Sequence, residues 1–375
     1  MITNFRILLA AAFLWGCGST QLILLAVLLK AHGMSGPEIA AIASMLTVSQ
    51  IVSTVVCGTL ATRYGVVRTL QLGAVIAFIG VVILSVTYDS MIGSALGNFI
   101  RGFGFGMVLP AGQMFTQNEV AESDRSRAVA IFSAMSLIPA FFGPSIGQFT
   151  LTRLGDAGFF AVAILPMLVA LATVMLLPRL RETSAQPDAS GYLKLLRDRQ
   201  LWLPNFATMQ GGLAYAFAWT FLPLLLIEFT PVAAFFTPFA VSVIATRFIG
   251  MKRLQLLLPA HVVALGLTAY LVGLTALLSP TMIAAIAAGL LFGFGYGVTS
   301  PSCIEWSTRL YPNNRRPVAL INTSFHIGSI IALQLTGLLL VFGGMTVIIV
   351  LAVLVGCVLA LLLASQFRSK TIAAS

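Results

Sequence analysis

Arg101 lies twelve residues beyond Asp89, in a run Asn98-Phe99-Ile100-Arg101-Gly102-Phe103-Gly104-Phe105-Gly106 that holds no other charge. If the run is helical, a rise of about 1.5 Å per residue puts Arg101 roughly 18 Å from Asp89. A cation that deep in an apolar stretch needs compensation. One source is an anionic or hydrogen-bond-accepting group on a solute in a wet cavity. The other is the backbone carbonyls of neighbouring helices. Glu305 is the one carboxylate clearly inside an apolar stretch. It can carry a proton, or it can form a salt bridge with Arg247 or Arg309. His326 offers an imidazole that exchanges protons near neutral pH in water, or a hydrogen-bonded core residue.

Other chemistries find little footing. Gly143-Pro144-Ser145-Ile146-Gly147 matches the G-x-S-x-G hydrolase pattern, but that pattern needs a strand-turn-helix setting. No G-x-x-x-x-G-K-[ST] phosphate loop is present. Cys17, Cys57, Cys303 and Cys357 lie in apolar stretches, with neither zinc nor disulfide spacing. We therefore expect no cofactor, no metal and no catalytic residue.

The elements that must position these residues follow from composition. Residues AVILMFWYC make up 59% of the 375 positions and charged residues only 9%, against about 25% charged in a soluble domain. Such a chain cannot cover a water-facing surface, which excludes a soluble enzyme, a nucleic-acid-binding domain and a disordered protein. The long apolar runs do not alternate with period two, so a barrel is also excluded. What is left is an all-α membrane protein. A helix of about 20 apolar residues spans a bilayer. Twelve segments qualify, at 5–29, 37–61, 69–88, 90–116, 127–152, 157–178, 201–228, 231–250, 254–279, 281–307, 317–342 and 344–367. The longest polar stretch, 179–199, reads as a linker between a six-helix half at 1–178 and another at 200–375. With the N-terminus inside, eighteen of the 21 Lys and Arg fall on the cytoplasmic side. The net charge of +10 thus reports orientation, with both termini cytoplasmic.

The halves echo one another. Gly102-Phe103-Gly104-Phe105-Gly106 up to Pro110 matches Gly293-Phe294-Gly295-Tyr296-Gly297 up to Pro301 at an offset of 191. Ala61-Thr62-Arg63-Tyr64 matches Ala245-Thr246-Arg247-Phe248 at 184. Arg127-Ala128-Val129-Ala130-Ile131 matches Arg316-Pro317-Val318-Ala319-Leu320 at 189. Order and near-constant offset imply two six-helix pseudo-repeats in the same orientation.

These residues resemble the major facilitator superfamily, over essentially the whole chain. The loop after the second segment carries Gly58, Arg63, Gly65 and Arg68 of that family's loop signature, with Thr62 where an Asp is usual. The fourth segment, Arg101 to Pro110, resembles its arginine and Gly-x-Gly motif. The fifth, Pro139 to Gln148, partly resembles its antiporter motif, with Pro139 and Gln148 replacing the outer glycines. The resemblance implies alternating access, with the first, fourth, seventh and tenth helices lining a cavity. That would place Trp15, Gln21, Asn98, Arg101, Gln113, Met209, Gln210, Tyr215, Trp219 and Tyr296 on or near it. Gating is read at Gly58, Arg63, Gly65 and Arg68, at a kink that Gly143-Pro144 favours by removing a backbone donor, and at Arg247, with Glu119 paired to Arg63. Proton coupling is read at Glu305 and His326. The function expected is export of a small organic compound, a drug or metabolite, by proton antiport. A second reading is movement of an organic anion or a metal-chelating metabolite. A membrane-embedded enzyme or receptor is disfavoured, because clustered His, Asp or Glu are lacking. The expected partners are a small-molecule substrate, protons and the lipid bilayer of the plasma (inner) membrane, with no nucleic acid, and the chain is expected to act as a monomer.

Overall fold

In hydrocarbon, backbone polar groups must be bonded internally, so long apolar stretches fold as helices. Their ends are set by local chemistry. Glu38, in the first turn after Ser35, accepts hydrogen bonds from the Ser35 backbone N–H (2.8 Å) and hydroxyl (2.7 Å), and its charge suits the positive end of the helix. Ser90 and Thr281 cap the helices that follow them by accepting from the N–H of Gly93 (3.4 Å) and Ala284 (3.2 Å). Gly65 takes φ 97°, open to glycine at little cost, and so lets one helix stop and the next begin without a loop.

The computed structural model describes residues 2–120, 125–178, 195, 197–250, 254, 256–311 and 316–373. Most of the expected linker lies outside them. The contacts divide the chain into two compact units, Met1–Asp188 and Ala189–Ser375. The first holds α1 (Ile2–Gln21), α2 (Leu25–Ala31), α3 (Gly36–Tyr64), α4 (Val66–Thr87), α5 (Met91–Glu119), α6 (Arg125–Leu137) and α7 (Gly143–Met175). The second holds α8 (Trp202–Ala216), α9 (Leu222–Leu226), α10 (Ala233–Ala245), α11 (Pro259–Ala276), α12 (Met282–Leu310), α13 (Arg316–Leu339) and α14 (Gly344–Ala373). Among the described residues nine helices are long and apolar enough to cross a membrane, and a tenth counts if the pair Gly36–Thr54 and Val56–Tyr64, bent by 42°, is one span.

One boundary differs from the sequence expectation. The segment 127–152 is not one helix with a kink at Gly143-Pro144. It breaks into a 3₁₀ turn at Ile138–Phe141, and Gly143 and Pro144 open α7. Proline has no N–H to lose in a first turn, so it favours starting a helix there. The carbonyl of Pro139 accepts from the Phe142 N–H (3.2 Å) within this turn and also from the Thr20 hydroxyl of α1 at 3.4 Å. The segments 127–152 and 157–178 also join into one continuous helical run, in which only Gly155 (φ 67°, ψ −166°) departs from helical geometry.

In the first unit α5 lies against both α3 and α4, and α1 against α6 and α7. The Gly-x-Gly run makes this possible. A Cβ on Gly102 would sit 2.8 Å from Leu46 Cα of α3, and one on Gly104 would sit 2.6 Å from Ala77 Cβ of α4. Alternate glycines thus seat two neighbours at backbone contact, as small residues do in membrane helix packing. In the second unit α12 packs in the same manner against α10 and α11, and α8 packs on α13.

Candidate functional site

In the first unit Arg101 is half-buried on α5. Its backbone presses on α4, where a Cβ on Gly80 would lie 2.6 Å from Arg101 Cα. Among the described residues no carboxylate comes within 4.0 Å of it. One turn before it on α5, Asn98 is 1% exposed, and both its amide atoms lack a partner among the described residues. On α1, Gln21 donates to the carbonyls of Cys17 and Val162, each at 3.1 Å, while its Oε1 is unpartnered, as is Trp15 Nε1. A buried polar atom without a hydrogen bond costs about 1–3 kcal/mol. Four such atoms lie on α1 and α5, which touch each other. Gln113, further along α5, is half-buried.

The expected pair of Glu119 with Arg63 is not made. Glu119 is 5% exposed, with Oε2 unpartnered among the described residues. Arg63 is exposed in the last turn of α3, its guanidinium 5.3 Å from the Tyr64 ring centroid. At a helix C-terminus a cation is held by the dipole and by water, so it gains little from reaching a buried carboxylate. Arg68 is also exposed, and Gly58 has no atom within 4 Å of a would-be Cβ. Gly143 closes directly on α1, where a Cβ would lie 2.8 Å from Thr20 Cβ, so Gly143-Pro144 is a contact between helices as well as a helix start.

The second unit brings the aromatic residues together. Tyr215 of α8 stacks on Trp219 (centroids 4.7 Å apart, planes 17°) and on Tyr296 of α12 (5.2 Å, 23°). Phe325 of α13 lies 5.5 Å from Tyr215, and Phe236 and Phe239 of α10 meet Trp219 edge-on at 5.3 and 5.2 Å. The three stacked rings are half-buried. Gln210, two residues before the close α8–α13 contact at Gly212, is buried with Oε1 unpartnered among the described residues. Met209 forms part of that same contact, because a Cβ on Gly328 would lie 2.7 Å from the Met209 carbonyl carbon.

Arg247 does not meet Glu305. Its guanidinium carbon sits 5.4 Å from the Tyr296 centroid, and its Nε is buried without a partner among the described residues. Glu305 instead accepts from Arg309 at 2.6 Å, one turn along α12. His326 is half-buried beside the Phe325 ring, at 5.8 Å. Two irregular turns shape this cluster. Phe217–Phe221, carrying Trp219, and Thr246–Gly250, carrying Arg247, are both π-helical, a wide turn often found at functional sites. Among the described residues no group of three His, Cys, Asp or Glu is placed to hold a metal ion.

Sequence reading missed Phe325, the pairing of Arg247 with Tyr296, and a polar cluster in the first unit. There Asp156 Oδ2 accepts from His32 Nε2 (2.8 Å) and from the Tyr88 hydroxyl (3.0 Å). Tyr88 lies outside the spans, and the bond to Asp156, followed by desolvation, holds its phenol above the ordinary tyrosine range. No local signal announces a contact 124 residues apart. The i,i+4 spacing of Tyr215 and Trp219 was the one local clue to the ring column.

Comparison with known proteins gives a consistent result. The sequence profile of the Major Facilitator Superfamily matches residues 7–257. No curated protein matches. Among solved structures, the nucleoside transporter NupG superposes with a TM-score of 0.81 at 13% identity, covering 96% of this chain and 99% of its own. The POT family transporter PepTSo gives 0.81 at 12%, covering 100% and 99%. The E. coli fucose:proton symporter FucP gives 0.63 at 16%, covering 98% of each. At these identities the likeness is one of fold.

Proposed function

From the premise that this chain belongs to the major facilitator superfamily, an integral membrane family of secondary transporters, we propose that it exports a small organic compound by proton antiport, through alternating access. The observation that carries this reading is Arg101. A half-buried guanidinium inside a spanning helix, with no carboxylate partner among the described residues, needs a wet cavity and a solute group to meet it. The unpartnered atoms of Asn98, Gln21 and Trp15 support the same cavity. The structural neighbours, a nucleoside transporter, a POT family peptide transporter and a fucose:proton symporter, support a small-solute cargo. The partial antiporter motif, seated against α1 through Gly143, supports outward movement.

We read twelve spans. The stretch Ile131–Met175 is 45 residues long, about twice what a bilayer core needs, and Gly155 divides it. That division, the bent pair and the shorter apolar helix Thr346–Leu359 extend nine spans to twelve. Two pseudo-repeats are supported by α5 and α12. Each has 29 residues, an internal proline (Pro110, Pro301), and two helices seated on its glycines. The Lys and Arg distribution supports cytoplasmic termini in a plasma membrane. Proton coupling falls to Glu305, which exchanges its ion pair with Arg309 for a proton, and to His326. Gating falls to Gly58, Arg63, Gly65 and Arg68 around the junction of α3 and α4, to Glu119 and to Gly143-Pro144. The test is efflux of a panel of amphipathic solutes from cells that express the chain. Efflux should collapse when a protonophore removes the gradient. Efflux that survives it, or that needs sodium, overturns the antiport reading.

A further inference from the structure

Resting on the transporter reading above, we propose that Arg247 and the ring column Trp219–Tyr215–Tyr296 are the seat of a planar aromatic carboxylate, and that solutes of this class are the cargo. The column offers a flat, rigid, half-open apolar face. Stacked rings lose little entropy on binding another ring and hold it by offset stacking. The charge beside the column is positive and unbalanced. The second unit has three carboxylates, and all are engaged or placed elsewhere. Glu305 is on Arg309, Asp198 accepts from the Tyr311 hydroxyl and from the N–H of Gln200 (2.9 Å), and Glu228 is exposed. Arg247 therefore faces Tyr296 with a buried, unpartnered Nε and no acid within 4.0 Å among the described residues. A guanidinium presents a planar fork of donors that matches a carboxylate in two parallel hydrogen bonds.

The alternatives fit less well. A cationic drug would be repelled by Arg247 and finds no acid at the column. A zwitterionic peptide would leave its ammonium unpaired there. A sugar needs many polar partners, whereas Phe236, Phe239 and Phe325 surround the rings. Placing Trp219 and Arg247 each on a π-helical turn ties this arrangement to the two places where the helices depart from regular geometry.

Equilibrium dialysis of the purified full-length protein with 2-naphthoate, its neutral amide 2-naphthamide and cyclohexanecarboxylate tests the seat. We expect 2-naphthoate to bind at least tenfold more tightly than either of the others. Arg247→Gln should cost naphthoate at least tenfold and leave the amide unchanged, while Arg153→Gln, which removes an exposed charge in the other unit, should change nothing. Equal binding of acid and amide by the wild-type protein overturns the proposal without recourse to a variant, as does naphthoate binding indifferent to Arg247→Gln. Protein that moves other solutes against protons but ignores naphthoate refutes this seat and leaves the transporter reading standing. Protein that binds naphthoate through Arg247 yet moves no solute refutes the transporter reading and leaves the seat.

Discussion

Gly212→Ala should loosen the contact that places the ring column, and Gly211→Ala beside it should not. A Cβ on Gly212 would overlap the Phe325 carbonyl oxygen and lie 2.8 Å from its carbon, where ordinary contact starts at 3.4 Å. The helices must therefore part by at least 0.6 Å (3.4 − 2.8) at the carbon, and by more at the oxygen. Phe325 cannot yield alone, because its carbonyl also accepts from the Ser329 hydroxyl at 3.0 Å, and that hydroxyl reaches the Gly212 carbonyl at 3.1 Å. Overpacking of this kind costs about 1–3 kcal/mol. Gly211 is the internal control. Its Cβ would meet only Thr299 Cγ2, at 3.8 Å, and alanine gains about 0.5–1 kcal/mol of helix propensity there. Both variants share that gain, so their difference isolates the overpacking. For a unit of this size, roughly 2–4 °C of melting temperature per kcal/mol gives a gap of about 2–12 °C. Because Tyr215 and Phe325 sit on the two helices forced apart, the Gly212 variant should also bind its solute more weakly, by about five- to 150-fold if the whole cost appears in binding. Thermal unfolding in detergent and solute binding, measured for both variants, decide it. A Gly212→Ala protein as stable and as active as Gly211→Ala would refute the contact.

Arg101→Ala should fold, since it removes a residue that costs about 2.5–3.5 kcal/mol on insertion scales, yet lose transport; lysine should restore little, lacking the planar fork. Normal transport by Arg101→Ala would remove the cavity assignment. Glu305→Gln should keep stability, because a pair with side chains 30% and 50% exposed contributes a few tenths of a kcal/mol. It should also keep solute binding while losing gradient-driven transport, whereas intact driven transport would exclude the carrier role. Tyr88 should give an alkaline limb to stability. Its folded phenol titrates above the ordinary value near 10, so its contribution is present below that pH and fades as pH rises through the folded value. Melting curves of wild type and Tyr88→Phe should therefore converge at high pH, and curves that stay parallel would sink the assignment.

Long apolar stretches were legible because apolar length is a one-dimensional signal that a bilayer reads almost directly, yet nine helices, or ten with the bent pair, are long and apolar enough to span among the described residues, against twelve expected. Residues with unusual backbone roles moved boundaries, Pro139 through Pro144 at the 3₁₀ break and Gly155 inside α7. The glycines of α5 and α12 were legible as packing residues, since spacing alone tells that a helix has bare faces. Glu119 and Arg63 were misjudged because sequence places them near the same membrane surface but says nothing of side-chain direction. The three rings of the column, Tyr215, Trp219 and Tyr296, were legible as cavity candidates through the family resemblance. The rest was not, because Arg247 reaches Tyr296 from a π-helical turn, which has no composition of its own, and Phe325 arrives through the glycine contact between α8 and α13.

The central claim is that a solute and protons cross in opposite directions through this chain. Proteoliposomes of the purified protein, loaded with a pH-sensitive dye and given an outward solute gradient, test it most directly. The account predicts protein-dependent acidification of the lumen as solute leaves, absent from protein-free vesicles and reduced to background by Arg101→Ala. Solute exit with no change in luminal pH, or with protons leaving alongside it, would contradict the account.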